Sequence, residues 1–181
     1  MRTRSRISRI CSATATAALL LAAACESPAG LEPGAGPSLS KGVATDPLKA
    51  ARQATARFHS TTQAIKAGYV ADAHCVAVPG LGGMGFHWVN AALVDPVFDP
   101  TQPEAILYAP GPNGKSKLVA LEYIVVDVGQ PRPSLAGQPF DVGGVPPLEA
   151  AGVPHWSLHV WLYEDNPSGM FAPFNPNVSC G

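Results

Sequence analysis

The sequence contains little charge and no excess of basic residues. Charged side chains make up 14% of the chain, and 12 Lys and Arg against 13 Asp and Glu give a formal net charge of −1. Nucleic-acid-binding domains usually carry a clearly basic surface, because Lys and Arg neutralise the phosphates. The composition therefore argues against a nucleic-acid partner.

Long apolar segments are also scarce. The uncharged stretch Ile10–Ala24 has 15 residues, which is shorter than a transmembrane helix requires. Four arginines and no acidic residue precede it. This order of basic residues followed by a short apolar run predicts an export signal over residues 1–24.

The end of this segment, Leu21–Cys25 (LAAAC), resembles the lipobox of bacterial lipoproteins. In that family the signal is removed before the cysteine, which then receives a diacylglyceryl group. The resemblance implies a lipid anchor on Cys25 and a place on a membrane of the bacterial cell envelope. The alternative is cleavage after Ala22-Ala23-Ala24 and release of a soluble, secreted protein.

Removal of residues 1–24 changes the charge balance. Eight basic residues then remain against 13 acidic ones, a formal net charge of −5, which disfavours binding to anionic lipid and nucleic acid. Residues 25–45 are rich in Pro, Gly, Ser and Ala and predict a flexible tether behind the anchor cysteine. Residues 46–181 have the length of a single globular domain.

Glycine (18) and proline (19) are abundant, which disfavours a helical bundle. After the capping pair Asp46-Pro47, mostly apolar residues recur every three or four positions and predict one amphipathic helix over residues 46–67. The predicted buried stripe consists of Leu48, Ala51, Thr55, Phe58, Thr62, Ile65 and Tyr69. Further on, short apolar runs and turn residues predict an antiparallel sheet of four or five strands, with 118–126 as a central strand. Residues 129–154 are predicted as a loop and 165–181 as an irregular tail. The predicted fold class is α+β, with the helix packed on the sheet.

Cysteine is rare in the predicted domain, which contains Cys75 and Cys180. In an oxidising compartment such a pair predicts a disulfide. The bridge would close a loop of roughly 105 residues and stabilise the fold by about 4–5 kcal/mol in the chain-entropy description. Two alternatives stay open: a metal site built from Cys75 and the adjacent His74, or two free thiols.

The histidines are the main candidates for chemistry. His155 and His159 have the spacing of a helical zinc pair, but the alternation around them predicts a strand, on which they would lie about 13 Å apart. His87 and His159 are each embedded among large apolar residues of a predicted strand. If these two strands are neighbours, the imidazoles converge, with Glu122 from the central strand as a third ligand. His155 is a weaker candidate.

Two histidines and a carboxylate suit Zn²⁺, or Fe²⁺ or Cu²⁺ in a looser geometry. Met84, Trp88 and Trp161 are predicted to line the pocket, and Met84 would be a soft ligand for Cu⁺. The alternative interpretation is that the histidines are hydrogen-bonded groups of the core. The chain has neither a Gly-x-Ser-x-Gly motif nor the Lys-Ser/Thr of a phosphate loop.

Five segments of the chain are distinctive: GMGFHWVN (83–90), DPVFDP (95–100), PEAILYAP (103–110), LVALEYIVVD (118–127) and WSLHVWLYEDNPSGMFAPFNPNVSC (156–180). Together they resemble an uncharacterised family of exported bacterial proteins. The resemblance implies a compartment and a domain boundary, and it assigns no catalytic residues.

Three classes of function follow from the sequence. The first is a small envelope module that binds a transition metal or a small ligand. The second is a structural or interaction lipoprotein without a metal. The third is a metal-dependent, hydrolase-like enzyme that uses the same residues.

Overall fold

The computed structural model describes residues 46–181. The predicted export signal (1–24), the tether (25–45) and the predicted lipidation site Cys25 lie outside the described residues. Within residues 46–181, no helix combines the length and the apolar character needed to cross a membrane.

The described domain has an α+β fold, as predicted, with a curled antiparallel sheet and few helices. Its helices are α1 (Pro47–Thr55), α2 (Thr61–Lys66) and α3 (Pro146–Ala150). Its strands are β1 (Cys75–Val78), β2 (Gly82–Val89), β3 (Ala105–Pro110), β4 (Ser116–Val126), β5 (Ser134–Leu135), β6 (Gln138–Pro139), β7 (Asp141–Val142) and β8 (His155–Val160).

The chain between α1 and α2 departs from a single continuous helix over 46–67. A 3₁₀ turn at Ala56–His59 follows α1, and Ser60 is extended, with φ −94° and ψ 111°. The run Ser60-Thr61-Thr62 has low helix propensity, because hydroxyl side chains compete for backbone hydrogen bonds. After the break Ala64 is buried, whereas Ile65 is 58% exposed.

The sheet has six strands in the order β1-β2-β3-β4-β8-β7, and every neighbouring pair is antiparallel. The prediction of four or five strands was therefore too low. The additional strand is β7, a two-residue segment that pairs with β8 inside the predicted loop 129–154. That segment also contains the β5–β6 hairpin and α3, so the prediction of one long loop was wrong. Elements this short show no hydrophobic periodicity from which to predict them.

The two faces of the sheet differ. One, which we name the core face, carries Ile106, Tyr108 and Tyr123, and it packs with Ala51 and Phe58 of the helical segment in one buried cluster. The Tyr108 hydroxyl donates a hydrogen bond to the Phe58 carbonyl at 2.5 Å, which ties the 3₁₀ turn to β3. The opposite face, named the site face, carries the polar residues described below.

The chain after β8 forms no helix or strand, as the predicted irregular tail requires, and it is held by backbone contacts and a disulfide. Gly83 donates its backbone N–H to the carbonyl oxygens of Asn175 and Val178, at 3.1 and 2.8 Å. Gly82 has φ +94°, and a Cβ there would lie 2.1 Å from the Asn175 oxygen, so only glycine allows this approach. The predicted disulfide between Cys75 and Cys180 is present.

Candidate metal centre

Three strands bring His87, Glu122 and His159 to the site face. Glu122 on β4 lies directly opposite His159 on β8 and, on its other side, opposite Ala105 of β3. His87 on β2 lies opposite Leu107 of β3, two positions from Ala105. Because directly opposed residues share a face and side chains alternate along a strand, all three functional side chains point to the same side.

The two histidine strands are not neighbours, contrary to the geometry assumed from the sequence. β3 and β4 separate β2 from β8, which would place the strands about 14 Å apart in a flat sheet. The sheet is curled, and the residue of β3 opposite Glu122 is Ala105, which has a short side chain. The imidazole of His87 therefore reaches across β3 towards Glu122 and His159.

The functional atoms of the three residues converge. Nε2 of His87 lies 3.2 Å from Nε2 of His159. Nε2 of His87 is 3.6 Å from Oε2 of Glu122, and Nδ1 of His159 is 3.9 Å from Oε1 of the same carboxyl. One potential ligand atom from each residue lies within 4.8 Å of the others. The structure thus assembles the set of residues that the sequence analysis named.

Burial keeps this cluster uncharged when it stands alone. Desolvation by burial raises the pKa of Glu122 to about 8, with a smaller contribution from the negative charge of Glu104. Burial lowers the pKa of His159 to about 3, aided by His87, and it also lowers the pKa of His87. The His–Glu distances resemble those of ion pairs, yet the pKa of each group moves towards its neutral form. We therefore describe a protonated carboxyl beside two neutral imidazoles.

The carboxyl of Glu122 makes no hydrogen bond within residues 46–181, since both imidazole contacts exceed hydrogen-bond distance. Its side chain is only 6% exposed, but no fully buried side-chain nitrogen or oxygen of the described residues lacks a partner, so the carboxyl group remains accessible from the cleft that it lines. A neutral imidazole offers an unprotonated ring nitrogen, which is the form that binds metals. The chemistry of the three residues therefore fits a divalent transition metal.

A cleft of about 410 Å³ opens above the three residues. Its remaining lining comes from the segment before β1, from β1, β2 and β4, from the start of α3 and from the tail. These residues are Asp72, His74, Val76, Met84, Val89, Ile124, Gly144, Val145, Pro146, Pro147 and Phe174. The cluster is therefore reachable from solvent, at the floor of a cleft.

The predicted pocket lining is right for Met84 and wrong for the two tryptophans. Trp88 follows His87 on β2, so it points to the core face, where it packs on Tyr108. Trp161 lies beyond β8 in a separate buried cluster with Leu107, and its indole N–H donates to the Ala172 carbonyl at 2.7 Å. Neither ring lines the cleft.

His155 is not available as a ligand. Its Nδ1 donates to the Val153 carbonyl at 2.8 Å, and its Nε2 accepts the backbone N–H of Val145 at 3.1 Å. Both ring nitrogens are therefore used within the fold, and His155 is a hydrogen-bonded core residue.

The sequence analysis did not place Asp72 and His74 at this site. The His74 ring nitrogen Nδ1 lies 2.8 Å from the Asp72 carboxyl, and the pair sits at the rim of the cleft with His74 91% exposed. The spacing Asp-Ala-His before β1 was a local signal of this turn. The alternative of a metal site formed by His74 and Cys75 is wrong, because Cys75 is bonded to Cys180.

No protein-family model, no curated protein and no solved structure matches the chain. The resemblance to an uncharacterised family of exported bacterial proteins therefore stays a prediction.

Proposed function

We propose that the chain is a small metal-binding module that holds one divalent transition metal with His87, Glu122 and His159. The observation that carries the proposal is the convergence of these three donors at the floor of the cleft. Two imidazoles and one carboxylate are a common protein ligand set for Zn²⁺ and for Fe²⁺.

The distances support the proposal. Two nitrogens bonded to Zn²⁺ at 2.0–2.1 Å in a tetrahedral site lie about 3.3–3.4 Å from each other. The two Nε2 atoms are 3.2 Å apart, and the carboxyl oxygen lies 3.6 Å from one of them. Small side-chain rotations therefore suffice to bring all three to one ion.

The charges support the same proposal. A divalent ion would take the place of the carboxyl proton of Glu122, and the ionised carboxylate would then have a partner in the dry environment. The ion retains one net positive charge after this compensation. Zn²⁺ is our first choice, and Fe²⁺ and Cu²⁺ are alternatives with the same donors.

The test is metal analysis of the full-length chain, expressed in a bacterium and purified in detergent. We expect about one Zn²⁺ per chain after loading, and metal-dependent thermal stabilisation, because an ion that binds only the folded state shifts unfolding. His87→Ala and His159→Ala should strongly weaken Zn²⁺ binding and the thermal stabilisation, whereas His59→Ala, outside the cluster, should retain both. Wild-type protein that binds no Zn²⁺, Fe²⁺ or Cu²⁺ would favour the structural or interaction role.

A second candidate function is metal-dependent hydrolysis. It is favoured by the position of the cluster, because three protein ligands leave one tetrahedral position open, and the cleft lies directly above it. Structural zinc sites use four protein ligands instead. Activity against generic carboxylic ester substrates, lost in Glu122→Gln, would support this candidate.

We also propose that the protein is exported and anchored in the bacterial cell envelope through a lipid on Cys25. The support is the arginine-led segment 1–24 and the sequence LAAAC that ends it. A disulfide between Cys75 and Cys180 is consistent with an oxidising compartment. Metabolic labelling with a fatty acid should mark the wild type and not Cys25→Ser, and a labelled Cys25→Ser protein would reject the anchor.

A further inference from the structure

The walls of the cleft are apolar almost everywhere above the metal cluster. Val76 of β1, Met84 and Val89 of β2, Ile124 of β4 and Phe174 of the tail line it. The volume of about 410 Å³ lies within the range of small-molecule sites, which are mostly apolar with a few well-placed polar groups. Here the polar side chains lie at the two ends of the cleft, with the His–Glu–His cluster at the floor and the Asp72–His74 pair at the rim.

The wall formed by Gly144–Pro147 offers no hydrogen-bond donor. The N–H of Gly144 donates to Oε1 of Glu149 at 2.8 Å, and the N–H of Val145 donates to Nε2 of His155 at 3.1 Å. The next two residues are prolines, which have no N–H. The backbone of these four residues can therefore offer an occupant apolar contacts and carbonyl acceptors, but no N–H donor.

The charges of the lining restrict the occupant further. Among the described residues that line the cleft there is no lysine or arginine, so phosphate esters and dianions have no side-chain counterion. A metal with the carboxylate of Glu122 leaves one positive charge at the floor. Asp72 places a negative charge at the rim, which disfavours a second anionic group at the outer end of the occupant.

We propose that the cleft binds a small organic acid that has one carboxylate and an apolar, uncharged body. The carboxylate is the ligand of the open metal position, and the body lies against Val145, Pro146 and Phe174. This inference rests on the proposed metal-binding function and adds the chemical class of the ligand.

The test uses calorimetry on the full-length, Zn²⁺-loaded protein with four probes. Phenylacetate should bind at least tenfold more tightly than acetate, because burying the ring contributes apolar area that acetate lacks. It should also bind at least tenfold more tightly than succinate, which carries a second charge. Phenylacetamide, which keeps the ring without the carboxylate, should bind at least tenfold more weakly than phenylacetate.

Two asparagine variants separate the cleft from the surface. Val145→Asn introduces a polar group into the wall and should weaken phenylacetate binding at least fivefold without changing Zn²⁺ content. Val142→Asn makes the same change three residues away, at a side chain that is 76% exposed and outside the cleft. This control should leave the phenylacetate affinity and the Zn²⁺ content unchanged.

The outcomes distinguish the two proposals. Zn²⁺-loaded protein that binds phenylacetate no better than acetate, or equally well in Val145→Asn, overturns the ligand assignment and leaves the metal site intact. Wild-type protein that takes up no metal overturns both.

Discussion

Each face of the sheet buries one carboxyl group, and the two groups differ in what surrounds them. Glu122 lies on the site face, and its neighbour across the ladder is Ala105. Glu104 directly precedes Ala105, so alternation points it to the core face, where burial and, to a smaller extent, the charge of Glu104 raise the pKa of Tyr69 and Tyr123. Burial is the main cause that raises the pKa of both carboxyls to about 8.

The hydrogen bonds separate the two environments. Oε2 of Glu104 accepts the backbone N–H of Ile124 at 2.9 Å, and the tyrosine hydroxyls around it donate to backbone carbonyls, Tyr69 to Pro103 and Tyr123 to Pro100. The carboxyl of Glu122 has no such bond and faces two imidazoles and a cleft. A shifted pKa alone therefore does not mark a candidate site. Here the mark is the convergence of two imidazoles and a carboxyl without a hydrogen bond beside an open volume.

The largest effect is expected from the disulfide, because it joins β1 to the tail, which contributes Phe174 to the cleft. The double variant Cys75→Ser/Cys180→Ser removes a cross-link over 105 residues, which should lower the free energy of unfolding by about 4–5 kcal/mol. Urea unfolding measures the change. A loss below about 1 kcal/mol would show that the tail stays in place without the bridge.

Paired carboxyl variants test the comparison directly. Glu122→Gln should weaken Zn²⁺ binding on the order of 100-fold, about 2.7 kcal/mol, because it removes a charged ligand. Glu104→Gln removes an equally buried carboxyl from the other face and should change the Kd for Zn²⁺ by less than about threefold. Calorimetric titration measures both constants. Equal losses in the two variants would mean that the metal does not bind on the site face.

Glu104, the carboxyl on the core face, should change how the free energy of unfolding depends on pH. Folding raises the pKa of Glu104 from an ordinary 4.5 to about 8. Between these values the folded chain holds a proton that the unfolded chain has released, so stability falls as the pH rises from 4.5 to 8. The contribution is at most about 1.4 kcal/mol per pH unit.

Glu104→Gln, which keeps an acceptor for the Ile124 N–H, should therefore unfold with a shallower pH dependence than the wild type. Urea unfolding of both metal-free proteins at pH 5, 6, 7 and 8 gives the slope of the unfolding free energy against pH for each. Parallel slopes would contradict a protonated Glu104 in the folded state.

The smallest effect is expected at the rim of the cleft. His74 is 91% exposed and lies outside the three-residue cluster. His74→Ala should change the Kd for Zn²⁺ by less than about threefold, in the same titration. If His74→Ala weakened Zn²⁺ binding as much as His159→Ala does, His74 would have to be a fourth ligand of the metal.

The site residues could be predicted because each is a polar side chain within a strongly apolar strand, a pattern that is costly unless the group is paired. The arrangement of strands that brings these residues together could not be predicted. Strand order is a long-range property. The sequence did not reveal that β3 and β4 separate the two histidine strands, or that Ala105, with its short side chain, is the residue of β3 opposite Glu122.

Local chemistry explains the remaining differences. The hydrophobic spacing was correct through Phe58 but shifted after Ser60, where an extended residue interrupts the helical period and buries Ala64 in place of Ile65. Trp88 was assigned to the pocket because of its proximity to His87 in sequence. Adjacent residues of a strand point to opposite faces, so that proximity argued against the assignment.

X-ray absorption spectroscopy of the Zn²⁺-loaded, disulfide-bonded protein identifies the metal ligands. We expect nitrogen and oxygen ligands at about 2.0–2.2 Å with the outer-shell scattering of two imidazoles, reduced in His87→Ala and in His159→Ala. A sulfur shell at about 2.3 Å, or a spectrum that neither variant alters, would contradict the proposed ligand set.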